Sequence, residues 1–388
     1  MWAASDRRLI GLNAGSSLQT ARCPRCIFRD IKCLNGDIVP RYVPMLRSAG
    51  LAGYAELARH VGLNPDAMLR KAGLNPRHLA EQDLAEQDTP ISSVGARELL
   101  EASAAASGTE DFGLQLARTR RLSNLGPISA VMREARTARE ALVELCRYMR
   151  LVNAALLIRI EDHGDLSIIR TEVLTDERAS VRQSTELAVG VIYNTVAELL
   201  GPGWKPRAVC FEHRRPHGPT IHKAMFGVAV EFNTSFNGIV CATHDLSLSL
   251  SASDARLAPY ARRFLDQALS TATESATYNA RQVIIALLPS GRSTADQVAK
   301  HMGMDRRTLH RHLLGEGTSF SLLLRAVRCE FASRHIRDSD RSLVELAELL
   351  GFSSPSAFAF WFRKNFGMTV STWKKSELAG SSQSGRAN

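Results

Sequence analysis

Residues 342–367, with the sequence SLVELAELLGFSSPSAFAFWFRKNFG, have the pattern of two short helices joined by a tight turn. In the first helix, the small side chain of Ala347 lets a second helix cross closely. Gly351 then permits the positive φ angle that such a turn needs. This stretch predicts a helix-turn-helix unit.

The second helix of this unit has a recognisable start and a recognisable buried face. Ser353 or Ser354 is placed to cap it, and Pro355 stands at its beginning, where proline is favoured. Phe358 and Phe362 lie four residues apart and therefore share one face. We expect these two rings to face the core.

An earlier stretch, STADQVAKHMGMDRRTLHRHL at residues 293–313, repeats the pattern. Ala299 and Gly303 stand where Ala347 and Gly351 stand in the later unit, each 48 residues earlier. The repetition favours a second helix-turn-helix unit over two surface helices that share a turn by chance.

The helices of the earlier unit also have caps and a buried face. Ser293 or Thr294 is expected to cap its first helix, and Asp305 its second. Leu309 and Leu313 are spaced to bury the second helix. The opposite face then presents the basic side chains of Arg306, Arg307, His310 and Arg311.

Such a face suits the major groove of DNA. Arginine can bind guanine through two hydrogen bonds, which discriminates against the wrong base by about 1–3 kcal/mol. The alternative is a surface helix whose arginines are merely solvated.

Between the units, an apolar stripe predicts one long helix that sets their separation. Units about 34 Å apart would meet successive major grooves. The stripe consists of Phe320, Leu323, Leu324, Val327 and Phe331.

The region from about 278 to 375 resembles the DNA-binding domain of the AraC/XylS family. The residues that carry the resemblance are Leu346, Ala347, Leu350–Ser354, Ser356–Phe358, Phe362–Lys364, Phe366, Gly367 and Trp373. The resemblance implies sequence-specific binding to promoter DNA. It implies base contacts by Arg307, His310 and Arg311 in the first unit and by Ser356 in the second. Arg363 and Lys364 are expected to touch phosphate, which positions the protein without specifying sequence.

The full set of residues expected at DNA is Arg306, Arg307, Thr308, His310, Arg311, Ser353, Ser354, Ser356, Arg363 and Lys364. One position departs from the family pattern, because Phe360 stands where the family often has arginine. Phenylalanine cannot donate a hydrogen bond to guanine, although it can touch a thymine methyl group. We therefore expect the first unit to carry more of the sequence specificity. Phe360 or Trp361 could instead contact a partner subunit or RNA polymerase, and simple core packing is the plainer interpretation of Trp361.

Residues 41–250 have a mixed pattern that predicts an α+β domain. Helical spacing covers 46–122, 136–150 and 181–200, and period-two alternation across Asp162–Asp165 predicts a β-hairpin. Further strands are expected near 208–213, 228–233 and 238–242. The predicted fold is thus an α+β N-terminal domain followed by an all-α domain with two helix-turn-helix units joined by a long helix.

This front region resembles the N-terminal effector domain of the ornithine-utilisation and VirS-like regulators within the same family. The matching stretches are Asp111–Leu114, Leu125–Ile128, Gly203–Pro206, Val209–Pro216 and Phe226–Gly227. The resemblance implies a domain that senses a small molecule and can dimerise, and it does not identify the effector. His213 and Trp204 are candidate pocket residues, and a structural role is the more common one for both.

The bulk composition is compatible with this interpretation. The net charge is +10, and residues 278–375 contain 15 Arg and Lys against 8 Asp and Glu, so this quarter of the chain holds most of the excess. A basic surface favours polyanionic partners. Seven irregularly spaced cysteines argue against a secreted disulfide framework, and the chain shows neither a signal peptide nor an apolar run of membrane-spanning length. The expected location is the cytoplasm, at the nucleoid when bound to DNA, without membrane association.

The domain boundaries follow from these patterns. Residues 1–40 are expected to be a disordered leader, residues 251–277 a linker helix region, residues 278–376 the DNA-binding domain and residues 377–388 a disordered tail. Met45 precedes the first regular pattern and is an alternative start of translation. Cys23, Cys26 and Cys33 form at most part of a zinc site, so no metal and no cofactor are expected.

The leading functional hypothesis is a transcription regulator that responds to a small-molecule effector, and the expected output is activation. Its expected partners are promoter DNA, RNA polymerase and a second copy of the chain. One alternative is a DNA binder whose front domain only dimerises. A remote alternative is a DNA-repair enzyme fused to this DNA-binding module, which would need a Pro-Cys-His-Arg nucleophile motif that is absent here. Since catalytic motifs are also absent, we do not expect an enzyme.

Overall fold

The computed structural model describes residues 28–32, 38–42, 44–79, 89–175, 179–250, 257–271 and 275–383. Its strands are β1 (Phe28–Lys32), β2 (Ile38–Tyr42), β3 (Met45–Arg47), β4 (Pro90–Ser92), β5 (Leu156–His163), β6 (Leu166–Val173), β7 (Ala208–Cys210), β8 (Val230–Glu231) and β9 (Gly238–Ala242). The front helices are α1 (Tyr54–His60), α2 (Pro65–Lys71), α3 (Ser93–Ser107), α4 (Phe112–Ala117), α5 (Pro127–Arg133), α6 (Ala138–Val152), α7 (Arg182–Leu200), α8 (His222–Phe226), α9 (Thr243–Leu246) and α10 (Ala258–Thr271). The remaining helices are α11 (Ala276–Leu287), α12 (Ala295–His301), α13 (Arg306–Gly315), α14 (Phe320–Asp338), α15 (Leu343–Leu349), α16 (Pro355–Phe366) and α17 (Val370–Gln383).

The predicted α+β front domain is confirmed. Its main sheet has the order β5-β6-β9-β7-β8, in which β7 and β8 are parallel and the other neighbours antiparallel. The expected hairpin is β5–β6, with Leu156 opposite Val173. Ile169 and Ile239, on neighbouring strands, are fully buried against the apolar faces of α6 and α7. Burial of such faces is the main force that holds sheet and helices together.

A second, helical core lies beside this sheet. It is built by α1 to α4 around Tyr54, Leu99 and Phe112, and the Tyr54 hydroxyl is hydrogen-bonded to Ser103 at 2.9 Å. Helix α4 lies very close to α7, since a Cβ at Gly113 would stand only 2.0 Å from the carbonyl oxygen of Gln183. The two cores therefore form one continuous body.

The basic end folds as the expected all-α domain. Helices α11 to α17 share one core, and the predicted long helix is α14, in which Leu323, Val327 and Phe331 are buried. At 1.5 Å per residue its 19 residues span roughly 28 Å. Both helix-turn-helix units therefore contact a single apolar interior.

Two expectations about the chain ends are revised, and the linker region contains helix α10. Phe28–Lys32 pairs with Ile38–Tyr42 as an antiparallel hairpin, so irregular chain is wrong for this part of 1–40, and the rest of 1–40 lies outside the described residues. Helix α17 continues to Gln383, which contradicts a disordered tail from 377. In the linker region, α10 packs on the front domain through buried Leu265, and Tyr148 donates a hydrogen bond of 2.6 Å to Asp266.

Candidate nucleic-acid interface

The second helix of each helix-turn-helix unit begins at a capping side chain. In the first unit, the Thr308 amide donates to Asp305 Oδ1 at 2.8 Å. In the second unit, the Ala357 amide donates to Ser354 Oγ at 3.1 Å, which identifies Ser354 rather than Ser353 as the cap. Thr294 caps the leading helix of the first unit, α12. These caps satisfy backbone donors that a helix start leaves without partners.

Helix α13 has an apolar face and, on its opposite side, a basic face. Leu309 and Leu313 are buried, as expected, and the opposite side is open to solvent. The exposed basic residues of this helix are Arg306, Arg307, His310, Arg311 and His312. Arg306 forms an ion pair of 3.5 Å with Asp296, and because both side chains are about two-thirds exposed it contributes little to stability. The Thr308 hydroxyl donates to Asp305, so Thr308 completes the cap.

Helix α16 is built differently, around stacked aromatic rings. Phe362 and Phe366 lie with ring centres 4.0 Å apart and nearly parallel, and Trp373 meets both edge-on. Trp361 is half-buried against Phe352 and Phe358, which supports a packing role.

The outer face of α16 carries few charges. Phe360 is 75% exposed, and it lies four residues after exposed Ser356 and shortly before exposed Arg363 and Lys364. Residues three or four apart share a helix face. Phe360 therefore lies on the same exposed helix face as Ser356, Arg363 and Lys364.

The turn of the second unit is held by close contacts with Leu288, just before the first unit, and with the long helix α14. Gly351 has φ +66°, and a Cβ there would stand 2.6 Å from the carbonyl oxygen of Leu288, which follows α11. Arg328 of α14 donates to the carbonyl oxygens of Leu350 and Gly351 at 3.0 and 3.1 Å. Sequence reasoning missed Arg328, because nothing in the pattern separates a capping arginine from a DNA-contacting one.

A carboxylate joins the end of α13 to the start of α11. Glu316 accepts hydrogen bonds from the Ser275 hydroxyl at 2.8 Å and from the Ala276 and Thr277 amides at 2.6 and 3.0 Å. The second helix of the first unit, α13, is thereby fixed to the first helix of its domain.

The front domain contains an apolar cavity of about 140 Å³, which we call the front cavity. It lies between α3, α6, α7 and the end of β6. Its apolar lining includes Leu100, Leu125, Met149, Val152 and Ile192, and its polar lining includes Arg97, Arg120, Asn124 and Thr195.

One wall of the front cavity touches the DNA-binding domain. This wall is the segment Val173–Thr175 at the end of β6. Leu174 lines the cavity and is also buried in the core shared by α11 to α17. The Thr175 amide donates to Glu330 of α14 at 3.2 Å, and Arg281 of α11 donates to the Thr175 carbonyl oxygen at 2.8 Å.

Further buried charges surround this contact. Arg334 of α14 pairs with Glu172 and also donates to the Val173 carbonyl oxygen at 3.3 Å. Arg281 pairs with Glu330. Loss of one member of a buried ion pair is strongly destabilising, because the other charge is left without a partner. The structure thus connects the cavity wall to α14 through several directional bonds.

Comparison with known proteins agrees with both halves of this architecture. Residues 62–250 match the family model described as the arabinose-binding domain of AraC transcription regulators, N-terminal, and residues 298–376 match a helix-turn-helix domain. The regulator VirS of Mycobacterium tuberculosis is 29% identical over 331 residues, covering 84% of this chain and 95% of VirS. The chain belongs to the AraC/XylS family of transcription regulators.

Two further matches come from Pseudomonas aeruginosa. The ornithine utilization regulator is 23% identical over 326 residues, covering 82% of this chain and 93% of that protein. The solved structure of the transcriptional regulator CdpR is 20% identical, covers 80% of this chain and 96% of that chain, and has a TM-score of 0.38.

Within this AraC/XylS regulator, the two pocket candidates from the sequence lie away from the front cavity. Trp204 donates to Asp245 at 3.1 Å and packs on the sheet core. His213 is buried with Nε2 3.4 Å from Glu186, and burial lowers its pKa. The contacts of both side chains are therefore with other residues of the fold and not with the cavity. The cavity residues Arg97 and Arg120 were missed, since only the fold brings helix α3 and the loop after α4 together.

Two other features of the regulator concern metals and membranes. Cys23, Cys26 and Cys33, the partial zinc motif, lie outside the described residues. Within the described part of the chain, no helix is both long and apolar enough to cross a membrane.

Proposed function

We propose that this regulator binds a small-molecule effector in the front cavity and that occupancy alters how the DNA-binding domain engages its promoter. The supporting observation is Leu174, which lines the cavity and packs in the core of the helix-turn-helix domain. A ligand can shift a conformational equilibrium only by contacting the two states differently. Leu174 and Thr175 offer such a contact, because a displaced cavity wall also displaces the partners of Glu330 and Arg281.

We propose that the DNA contacts follow the residues predicted from the sequence. Arg307, His310 and Arg311 would reach base edges, supported by their shared exposure on α13. Arg363 and Lys364 would contact phosphates. Among the ten candidates, Thr308 and Ser354 support the interface indirectly, since both side chains are engaged in helix caps.

The DNA proposal can be tested by selecting bound duplexes from a random library with the full chain. We expect Arg307→Ala to raise the Kd for the selected sequence and to relax the preference at one or two positions. Lys364→Ala is expected to weaken selected and random duplexes by the same factor. The assignment of bases to α13 fails if Arg307→Ala leaves the base preferences unchanged.

A test of the effector proposal requires a ligand and a variant that weakens the contact between the cavity wall and the DNA-binding domain. Ligands that bind the native state raise Tm, so a metabolite library can be screened by thermal shift on the full chain. A hit must also change DNA affinity. We expect Glu330→Gln to keep ligand binding but to reduce this change, because it weakens the bond to the cavity wall.

Arg214→Gln is the matched control for this experiment. Arg214 joins the front domain to the end of α14, donating to the Arg337 and Ser339 carbonyl oxygens at 2.7 Å each, and it does not line the cavity. If both variants reduce the ligand effect equally, general loosening of the domains explains the result. If dimerisation occurs and no ligand is found, the front domain serves only for assembly.

We also propose homodimerisation through α10. Leu257, Tyr260 and Phe264 lie three to four residues apart at the start of this helix and are 72%, 70% and 58% exposed. Such an apolar stripe on the surface is typical of a protein contact. Phe264→Glu should shift the mass measured by light scattering from dimer to monomer, and a monomeric wild type would exclude this interface.

RNA polymerase is the further partner that we propose for the DNA-bound regulator, acting in the cytoplasm at the nucleoid. Transcription in vitro from a promoter that contains the selected sequence tests this proposal. Stimulated transcription identifies an activator, and reduced transcription a repressor.

A further inference from the structure

The front cavity has an unbalanced set of charged residues. Three arginines line it, and neither Asp nor Glu is among its described lining residues. The arginines are Arg97, Arg120 and Arg121. Apart from them, most of the lining is apolar. A cavity with this composition favours a ligand that is anionic at one end and apolar elsewhere.

Among the arginines that line the cavity, Arg120 is the most deeply buried, and no acidic side chain balances its charge. It is 4% exposed, and its Nη1 donates to the Ala49 carbonyl oxygen at 2.8 Å while Nη2 donates to that of Gly50. Its buried Nε–H has no hydrogen-bond acceptor. Burial lowers the pKa of Arg120 to about 10, and no carboxylate acts against this shift. The group therefore remains charged at neutral pH.

Two other buried arginines of this chain are neutralised by acids. Arg281 pairs with Glu330, and Arg334 pairs with Glu172. All three arginines are between 4% and 7% exposed. Buried charges are generally paired, because removing an ion from water is costly. Arg120 lacks the carboxylate that its counterparts have, and it stands in the wall of a cavity.

The size of the cavity limits the apolar part of the ligand. Its volume of about 140 Å³ is similar to that of an engineered cavity of roughly 150 Å³ in another protein that binds benzene. Leu100, Met149 and Ile192 can surround a body of about this size. The guanidinium of Arg120 matches a planar carboxylate through paired hydrogen bonds.

We propose that the front cavity binds a small monocarboxylate, with the carboxylate at Arg120 and an aliphatic or cyclic body of about six carbons among the apolar side chains. The inference rests on the proposed effector role of the cavity and specifies its ligand class. It does not require Arg97, whose contacts with Ser180 and Glu98 are independent of the cavity.

The experiment measures binding of hexanoate to the full chain by calorimetry and by thermal shift. Butanoate and octanoate test the size limit, acetate tests a bare anion, and hexanamide tests the need for charge. We expect hexanoate to bind at least ten times more tightly than hexanamide or acetate. If hexanamide binds as tightly as hexanoate, the proposed role of Arg120 is wrong. If acetate binds as tightly as hexanoate, the proposed contribution of the apolar part of the ligand is wrong. If none of the carboxylates binds at millimolar concentration, the proposal is wrong.

Variants of two adjacent arginines separate a binding role from a structural one. Arg120→Met should reduce hexanoate affinity at least tenfold and leave hexanamide affinity unchanged or higher. Arg121→Met, at an exposed neighbouring arginine of the same lining, should retain hexanoate affinity. Equal losses in the two variants would contradict the assignment. If Arg120→Met does not fold, the wild-type selectivity series and Arg120→Lys, which keeps the charge, still decide the question.

The outcome also separates this inference from the effector proposal. If hexanoate binds and DNA affinity does not change, the ligand class is supported and the effector role fails. If a neutral metabolite changes DNA affinity while no carboxylate binds, the effector role is supported and the ligand class is wrong.

Discussion

The two helix-turn-helix units share a backbone plan and differ in the chemistry of their outer faces. In α13 the exposed face carries Arg307, His310 and Arg311, whereas in α16 the corresponding face centres on Phe360. The second unit instead contains the stacked rings of Phe362 and Phe366. Family resemblance was most evident in the second unit because much of its pattern encodes packing. A strong signature and a strong recognition surface are therefore separate properties.

The turns of the two units differ most in what surrounds them. Gly303 and Gly351 have φ +68° and +66°, but only at Gly351 would a Cβ meet neighbouring backbone, 2.6 Å from the Leu288 oxygen. We expect Gly303→Ala to cost about 1 kcal/mol for the left-handed backbone. Gly351→Ala should cost roughly 2–4 kcal/mol, because the steric clash adds to that strain. Urea unfolding of the full chain measures both, and equal costs would show that the turns are equivalent.

The outer faces can be compared through single truncations. Arg311→Ala should raise the Kd for the selected sequence by roughly 5- to 150-fold if it binds guanine. Phe360→Ala should raise it less, because contact with a thymine methyl is weaker. Fluorescence anisotropy measures both, with Lys71→Ala on the front domain as a charge-matched control. A larger rise in Kd from Phe360→Ala would contradict the proposal that the first unit contributes more to sequence specificity than the second.

Salt dependence distinguishes phosphate contacts from base contacts. If Lys364 neutralises one phosphate, Lys364→Ala should reduce the slope of log K against log salt by about 0.9. The affinity for random duplex should fall by the same factor as for the selected one. An unchanged slope would place Lys364 away from the backbone of the DNA.

The caps of the two recognition helices respond differently to pH. Hydrogen bonds from the Thr308 amide and hydroxyl hold the pKa of Asp305 below its ordinary value of 3.8. This stabilisation is present above pH 3.8 and is lost as the pH falls through the lower, native pKa. Ser354 does not titrate in this range, so α16 should keep its cap. As the pH is lowered from 5 to 3, the free energy of unfolding of the wild type should fall more than that of Asp305→Ser, and equal falls would contradict this role of Asp305.

Local chemistry made much of the DNA-binding domain predictable. Gly351, Asp305 and the spacing of Leu309 and Leu313 act within a few residues, and each was found as expected. The hairpin β5–β6 was predictable for the same reason.

Contacts between distant segments were not predictable from the sequence. The front cavity takes its lining from many separate stretches, and the Arg120 environment depends on Ala49 and Gly50, about seventy residues away. Helix α17 was missed because its Ser- and Gly-containing end lacks an apolar period. His213 was a pocket candidate for which its position after a strand favoured a structural role, and its contact with buried Glu186 depends on a helix that is distant in sequence.

The contact of Gly351 with Leu288 has a consequence for promoter architecture. Because the two units share one interior and the turn of the second packs on Leu288, just before the first unit, we expect the chain to have little freedom to vary the gap between α13 and α16. Tolerance for altered half-site spacing must then come from bending or twisting of the duplex. Inserting about five base pairs, half a helical turn, would place the second half-site on the opposite side of the DNA. We therefore expect substitution of Gly351 to relax the preference for one helical phase between the half-sites.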